Sequence, residues 1–241
     1  MSLRQKRVVV IGGTSGIGLA VASAAIEEGA SVIVGSSSES KVGEASLRLP
    51  GAHAHIIDVK DEASVATFFE RVGAFDHLVF TAGDWDQFFR GGAIGDLDLA
   101  RARDLFAVRF WGAVAAIKHG AKHIRDGGSI VLTDGTVAHR PRKGAPVSSA
   151  MAGAVEHLVR ALSVDLAPIR VNGVCPGAVR TDVWNAIPAD QREDRIRKMT
   201  ERLPLKRIGE PDEIAEAYLY LMRGGYTTGQ VLRVDGGGTV V

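Results

Sequence analysis

The stretch "GGTSGIGLA" sets Gly12, Gly16 and Gly18 between a β-branched run and a helical pattern near the start of the chain. Residues without a Cβ let backbone amides come close to a pyrophosphate, and the positive end of the following helix then faces the anion. Glycines at such a place also serve plain strand-to-helix turns, but the position between a strand and a helix favours a dinucleotide phosphate site. Thr14, Ser15 and Ile17 lie within the same turn and join it as candidate cofactor contacts. A second polar stretch, "GSSSES", follows the next β-branched run, where Ser36, Ser37 and Ser38 offer hydroxyls and amides to a phosphate or cap a helix. The end of that run lacks the acid that would grip both ribose hydroxyls and repel a 2′-phosphate, although Glu39 is close by. The serines therefore tilt the cofactor toward NADP(H) over NAD(H).

Loops of this kind need a frame that presents them at one edge. Short β-branched runs at 7–12, 31–36, 54–59, 77–82, 129–134, 170–176 and 231–236 alternate with amphipathic helical patterns near 16–29, 61–72, 98–123, 148–166 and 211–223. The alternation predicts an α/β fold, a doubly wound seven-stranded parallel sheet with helices on both faces. Right-handed crossovers put the ligand crevice at the carboxyl ends of the strands, so the functional residues belong on the loops that follow them.

Composition narrows the partners. The 241 residues, 46% hydrophobic and 24% charged, can bury the core of one domain spanning 1–241, and no linker or internal repeat divides them. A formal charge of +1 with no dense Lys/Arg cluster implies neither nucleic acid nor an anionic membrane surface, leaving a small-molecule substrate. The longest apolar runs are strand-sized. The lone Cys175 precludes an intrachain disulfide, and with the start "MSLRQKRVVVIGG" it suits a reducing cytoplasm. Seven scattered histidines show no metal-ligand spacing.

Several further motifs, in order, resemble the short-chain dehydrogenase/reductase family over nearly the whole chain. "IDV" places Asp58 and Val59 where that family contacts adenine, and "TAG" places Ala82 and Gly83 at the end of its Asn-Asn-Ala-Gly motif, with Phe80 and Thr81 replacing the asparagines. "IRVNGVCPGAVRT" matches the sixth strand and its loop, with Pro176, Gly177, Val179 and Thr181 on the nicotinamide side, and "TGQVLRVDGGG" matches the last strand. The segment at about 177–204 corresponds to the loop that folds over substrate. The resemblance implies a nicotinamide-dependent oxidoreductase.

The family's catalytic Asn, Ser, Tyr and Lys positions fall, by that register, on Arg109, Gly135, Ser148 and Ala152, so the chain is a divergent member. Three candidates remain near the implied site. Asp134 is an acid, a base, a binder of a cationic substrate, or a hydrogen-bonding partner of the turn "TDGT". Arg109 holds a substrate carboxylate or an oxyanion, or forms a salt bridge within its helix or across a subunit interface. Ser148 relays a proton or caps a helix, and His139 and Arg142 lie in the loop before it.

Trp85, Phe88, Phe89 and Trp184 line an apolar substrate pocket or pack, Trp111 reads as core, Cys175 as an inert buried thiol, and Asn172 as a backbone holder. Val108, Phe110, Val155, Leu158 and Leu162 spread apolar surface over more helix faces than one sheet covers, and the family pairs these helices, so a homotetramer or dimer is expected. Two functions follow. One is an oxidoreductase with reassigned proton delivery, acting on a small, aromatic or already polarised carbonyl, quinone or imine. The other is a catalytically inactive dinucleotide-binding sensor or partner subunit.

Overall fold

The computed structural model describes residues 2–83 and 92–241. Its seven strands, β1 (Arg7–Ile11), β2 (Ser31–Ser36), β3 (His53–Ile56), β4 (Phe75–Phe80), β5 (Ile124–Thr133), β6 (Arg170–Pro176) and β7 (Val231–Val234), form one sheet in the order β3-β2-β1-β4-β5-β6-β7. Every neighbouring pair is parallel. The winding reverses between β1 and β4, so a crevice opens beyond their carboxyl ends.

Alternation along the strands builds two cores. Val8, Val10, Val32 and Val34 point to one face, against α1 (Gly16–Glu27) and α8 (Pro211–Arg223), while Val9, Ile11 and Ile33 point to the other. That second face is covered by α3 (Glu62–Val72), α5 (Ala113–Gly120) and α6 (Pro146–Asp165). With both faces covered, the strands are continuous apolar runs.

The element ends differ from the sequence reading in ways that matter for the site. Five predicted strands overrun at their carboxyl ends, so Gly12, Asp58, Val59, Ala82 and Asp134 stand on loops beyond β1, β3, β4 and β5. The single helix predicted over 98–123 is α4 (Leu99–Phe106), a π-helical segment (Ala107–Gly112), α5 and a short 3₁₀ turn. Two helices gave no apolar period to detect. In α2 (Glu39–Arg48) only Ala45 is buried, and in α7 (Ala189–Thr200) only Ile196 and Thr200 are. The latter draws on Asp194 pairing with Lys198 at 2.7 Å and with Arg197. No described helix is long and apolar enough to cross a membrane.

Candidate active site

The crevice is a cleft of about 1310 Å³, and its two ends are built differently. At the first, Gly12 N–H donates to Gly35 O at 2.8 Å and Thr81 N–H to Ile11 O at 2.8 Å, which binds the loops after β1, β2 and β4 together. Thr81, where the family carries asparagine, also donates its hydroxyl to Ile11 O at 3.2 Å. A Cβ on Gly18 would collide with Gly12 O and with Thr81 Oγ1, so the turn closes only around a glycine. The N-cap Ser15 of α1 makes no side-chain hydrogen bond to the helix, and no acid occupies the first turn. The first amides of α1 are thereby left for an anion, which suits a dinucleotide pyrophosphate.

The seventeen residues expected at the cofactor, from Gly12 to Thr181, all border this cleft. Beside Ser36, Ser37 and Ser38 stands Lys41, which sequence reasoning passed over because it lies inside the undetected α2. Ser38 caps that helix, accepting from Lys41 N–H at 3.4 Å, and Ser36 Oγ accepts from Ser38 N–H at 3.3 Å. Helix-capping and cleft-lining thus coexist in these serines. Asp58 borders the cleft while its Oδ1 accepts from Lys60 N–H at 2.9 Å.

The second end rests on side chains. Asp134, 2% exposed, leaves β5 with its amide donating to Val174 O on β6 at 2.9 Å. Its carboxyl oxygens are buried, and the amide of Gly135, within the turn "TDGT", favours their charged form. One ligand-type atom from each of Asp134, His139, Glu156 and Cys175 lies within 4.8 Å of the others. His139 Nε2 meets Glu156 Oε1 at 2.5 Å. Arg160 Nη2 is 3.5 Å from Glu156 Oε2. Burial first, and the Glu156 carboxylate second, push the Asp134 pKa up to about 8, with the Gly135 amide and the Cys175 thiol offsetting only part. Burial opposes the Glu156 charge, but Asp134, His139 and Arg160 outweigh it and hold that pKa below its usual value. Burial and the paired carboxylate thus favour the proton on Asp134, and the surrounding groups favour the charge on Glu156.

Arg109 is 8% exposed, sits in the π-helical segment and borders the same end. A Cβ on Gly83 would stand 2.6 Å from Arg109 Nε, so the absence of a side chain there makes room for the guanidinium. The π turn shifts the helix phase at Arg109. Val137, Val183, Trp184, Met199 and Leu203 line the apolar part, with Arg142 and Arg202 beside them.

The enzyme relationship is decided by comparison. A family model described as enoyl-(acyl carrier protein) reductase matches residues 12–239. The short-chain dehydrogenase/reductase ucsE of Acremonium sp is 34% identical over 99% of this chain and 97% of its own. This chain belongs to the short-chain dehydrogenase/reductase family. Solved relatives include a small-chain dehydrogenase in complex with NADPH, with a TM-score of 0.85 and 35% identity over 98% of this chain and 100% of that one. The MalC reductase/Diels-Alderase from Malbranchea aurantiaca has a TM-score of 0.90 and 32% identity over 99% of this chain and 97% of that one.

In this short-chain dehydrogenase/reductase, three expectations need correction. Ser148 is not among the cleft-lining residues. It is 1% exposed with an unpartnered hydroxyl, and it does not cap α6, whose N-cap is Ala145. Position three of that helix turns inward, so Ser148 neither relays a proton at the cleft wall nor caps. Trp111, expected in the core, is 61% exposed, with Phe110 edge-on to it at 5.1 Å. Of the five apolar helix residues expected to spread over more faces than one sheet covers, Val108 and Val155 are buried in the chain's own core and Phe110, Leu158 and Leu162 pack partly against it. Trp184 both lines the cleft and packs, donating Nε1–H to Val179 O at 2.7 Å. Trp85, Phe88 and Phe89 lie outside the described residues.

Asn172 holds backbone, donating to Thr227 O at 2.8 Å and accepting from Gln230 N–H at 3.1 Å, and the buried Cys175 thiol has its pKa raised by burial. The fully buried Tyr218 hydroxyl pairs with Thr133 Oγ1 at 2.7 Å, and burial raises its pKa, so it does not stand in for the missing tyrosine.

Glu156 was missed. It lies two turns after Ser148 on the buried stripe of α6 with Met151, Ala152, Val155 and Val159, and an acid on such a stripe was the available signal. The four-residue cluster was likewise invisible in spacing, since its members come from four separate segments and suggested no metal site. In the folded chain the His139–Glu156 hydrogen bond already engages two of the four donors.

Proposed function

We propose that the protein is an NADP(H)-dependent short-chain oxidoreductase in which Asp134 takes the place of the family's tyrosine as proton donor. The observation that carries this reading is a buried carboxyl group on the cleft wall beside Glu156, with its pKa pushed up to about 8 by burial and by that neighbour. An acid with a pKa near the working pH is well matched to general acid catalysis. Bound NADP(H) supplies the hydride. Asp134 gives a proton to the substrate heteroatom, and Arg109 stabilises negative charge there or holds a substrate carboxylate. The apolar lining excludes water from an aromatic or already polarised carbonyl, quinone or imine.

Lys41 beside the three serines supports the 2′-phosphate preference, as does the NADPH bound in the structural relative. The open cleft favours an enzyme over a non-catalytic sensor, for which a pocket filled by its own side chains is expected. The chain is proposed to act as one domain and as a homotetramer or dimer, with exposed Trp111 on the helices the family pairs. A monomeric mass by light scattering at micromolar concentration would contradict that assembly.

Fluorescence titration with NADPH and NADH, followed by turnover on phenanthrenequinone, an aromatic aldehyde and a cyclic imine, tests the reading. Tighter binding of NADPH and turnover of at least one substrate, lost in Asp134→Asn, are expected. Tighter NADH binding would overturn the cofactor preference, and full activity of Asp134→Asn the acid.

A further inference from the structure

The carboxyl oxygens of Asp134 are buried and its one open side is the cleft that substrate and cofactor would fill, so a route through the protein can return the proton it gives. Glu156 and His139 lie on such a route. The Glu156 carboxyl is within 4.8 Å of Asp134 and interacts with it directly, and its Oε1 meets His139 Nε2. The His139 side chain is 29% exposed, and the imidazole thus connects the buried carboxyls to solvent. A structural ion pair would need only Glu156 and Arg160. The second carboxyl, buried beside them, links Glu156 to the cleft wall.

We propose that Glu156 and His139 form a proton path that recharges Asp134 from solvent after each turnover. The proposal rests on Asp134 being the acid. His139 Nδ1 takes a proton from water as Nε2 passes its own to Glu156 Oε1, and Glu156 passes one to Asp134. One proton enters from solvent for each one delivered to substrate, and the partly exposed imidazole returns to its starting tautomer by exchanging its Nδ1 proton for one on Nε2 through solvent. The groups facing the path are Asp134 from the end of β5, Cys175 on β6, and Arg160 one turn on along α6. Arg160 keeps Glu156 ionised between turnovers, and the carboxylate left on Asp134 after donation draws the next proton inward.

The test uses the full chain with NADPH and whichever of the three substrates above it turns over fastest, in weak buffer at pH 8. His139→Ala is expected to lower kcat about tenfold or more, with KM and NADPH affinity within about twofold of wild type. Imidazole in the assay should restore most of that loss by delivering protons where the side chain stood. Glu156→Gln should lose about as much and gain nothing from imidazole, because the break lies inside the path. If His139→Ala folds poorly, His139→Gln carries the same test.

Unchanged kcat in the histidine variant, or a loss that imidazole does not relieve, overturns the path. Asp134→Asn separates the two readings. If it is inactive while His139→Ala is fully active, only the path fails. If it keeps wild-type turnover, the acid assignment itself is wrong. No turnover of any of the three substrates by the wild type removes both.

Discussion

The two ends of the cleft solve different problems with different parts of the chain. At the phosphate end, the geometry comes from backbone: glycines that let strands and helix close up, and the uncapped amides of α1. At the opposite end it comes from side chains, with Asp134, His139, Glu156 and Arg109 arriving from the end of β5, the loop after it, α6 and the π-helical segment. Backbone architecture tolerates few substitutions, because an added Cβ meets main chain that cannot give way. A side-chain constellation can be exchanged for another, provided some group with a suitable pKa reaches the same wall. The difference explains how the family's Tyr and Lys can be absent while the cofactor end keeps its form.

The contrast breaks most directly at Asp134. Asp134→Asn should lower kcat by about 10²-fold or more while leaving NADPH affinity unchanged, as steady-state kinetics beside fluorescence titration will show. Arg109→Ala should cost about as much in kcat/KM through loss of an oxyanion or carboxylate partner. A pH profile sharpens the first result. With its pKa at about 8, Asp134 is protonated below that pH, so wild-type kcat should hold through neutrality and fall above about pH 8.

Stability carries the opposite signature to an ordinary salt-bridged acid. The unfolded chain releases this proton near the ordinary carboxyl value of 3.8 and the folded chain only near 8, so the folded state binds more protons between those values. Wild-type stability relative to Asp134→Asn should therefore decline as pH rises from about 4 to about 8 and level off beyond, measured by urea midpoints.

At the other end, Gly18→Ala drives a Cβ into Gly12 O, an overpacking cost of about 1–3 kcal/mol that should weaken NADPH and NADH binding alike by about tenfold to a hundredfold. Lys41→Ala should weaken NADPH binding by about fivefold and leave NADH unaffected, a value set by an exposed charge contact of about 1 kcal/mol. Equal losses for both cofactors would remove Lys41 from the 2′-phosphate. The smallest effect belongs to Ser148→Ala, which should change kcat by less than about tenfold, because that hydroxyl stands off the cleft wall.

Much of the cofactor end was legible in the sequence because its determinants are local. Gly12, Gly16 and Gly18 lie within one short loop, between a strand pattern and a helix pattern that are both readable from residue type. The sheet was equally readable, since strands covered on both faces are written as unbroken apolar runs. Lys41 was hidden because α2 buries only Ala45 and so has no apolar period to announce the helix that carries it. Trp111 was misjudged because an aromatic residue in an apolar helix usually packs inward, whereas the π-helical turn at Ala107–Gly112 breaks the phase on which that expectation depends.

The sequence by itself determined the doubly wound topology and the order of the loops along the crevice, both of which depend on residue type and local period. Only the tertiary structure decided which side chains meet at the wall beyond β5. Burial of Ser148, the approach of Glu156 to Asp134 and the link from Glu156 to His139 arise when β5, β6 and α6 pack together. A carboxyl group's pKa depends on its distance from water and from other charges. Neither distance exists until those segments meet.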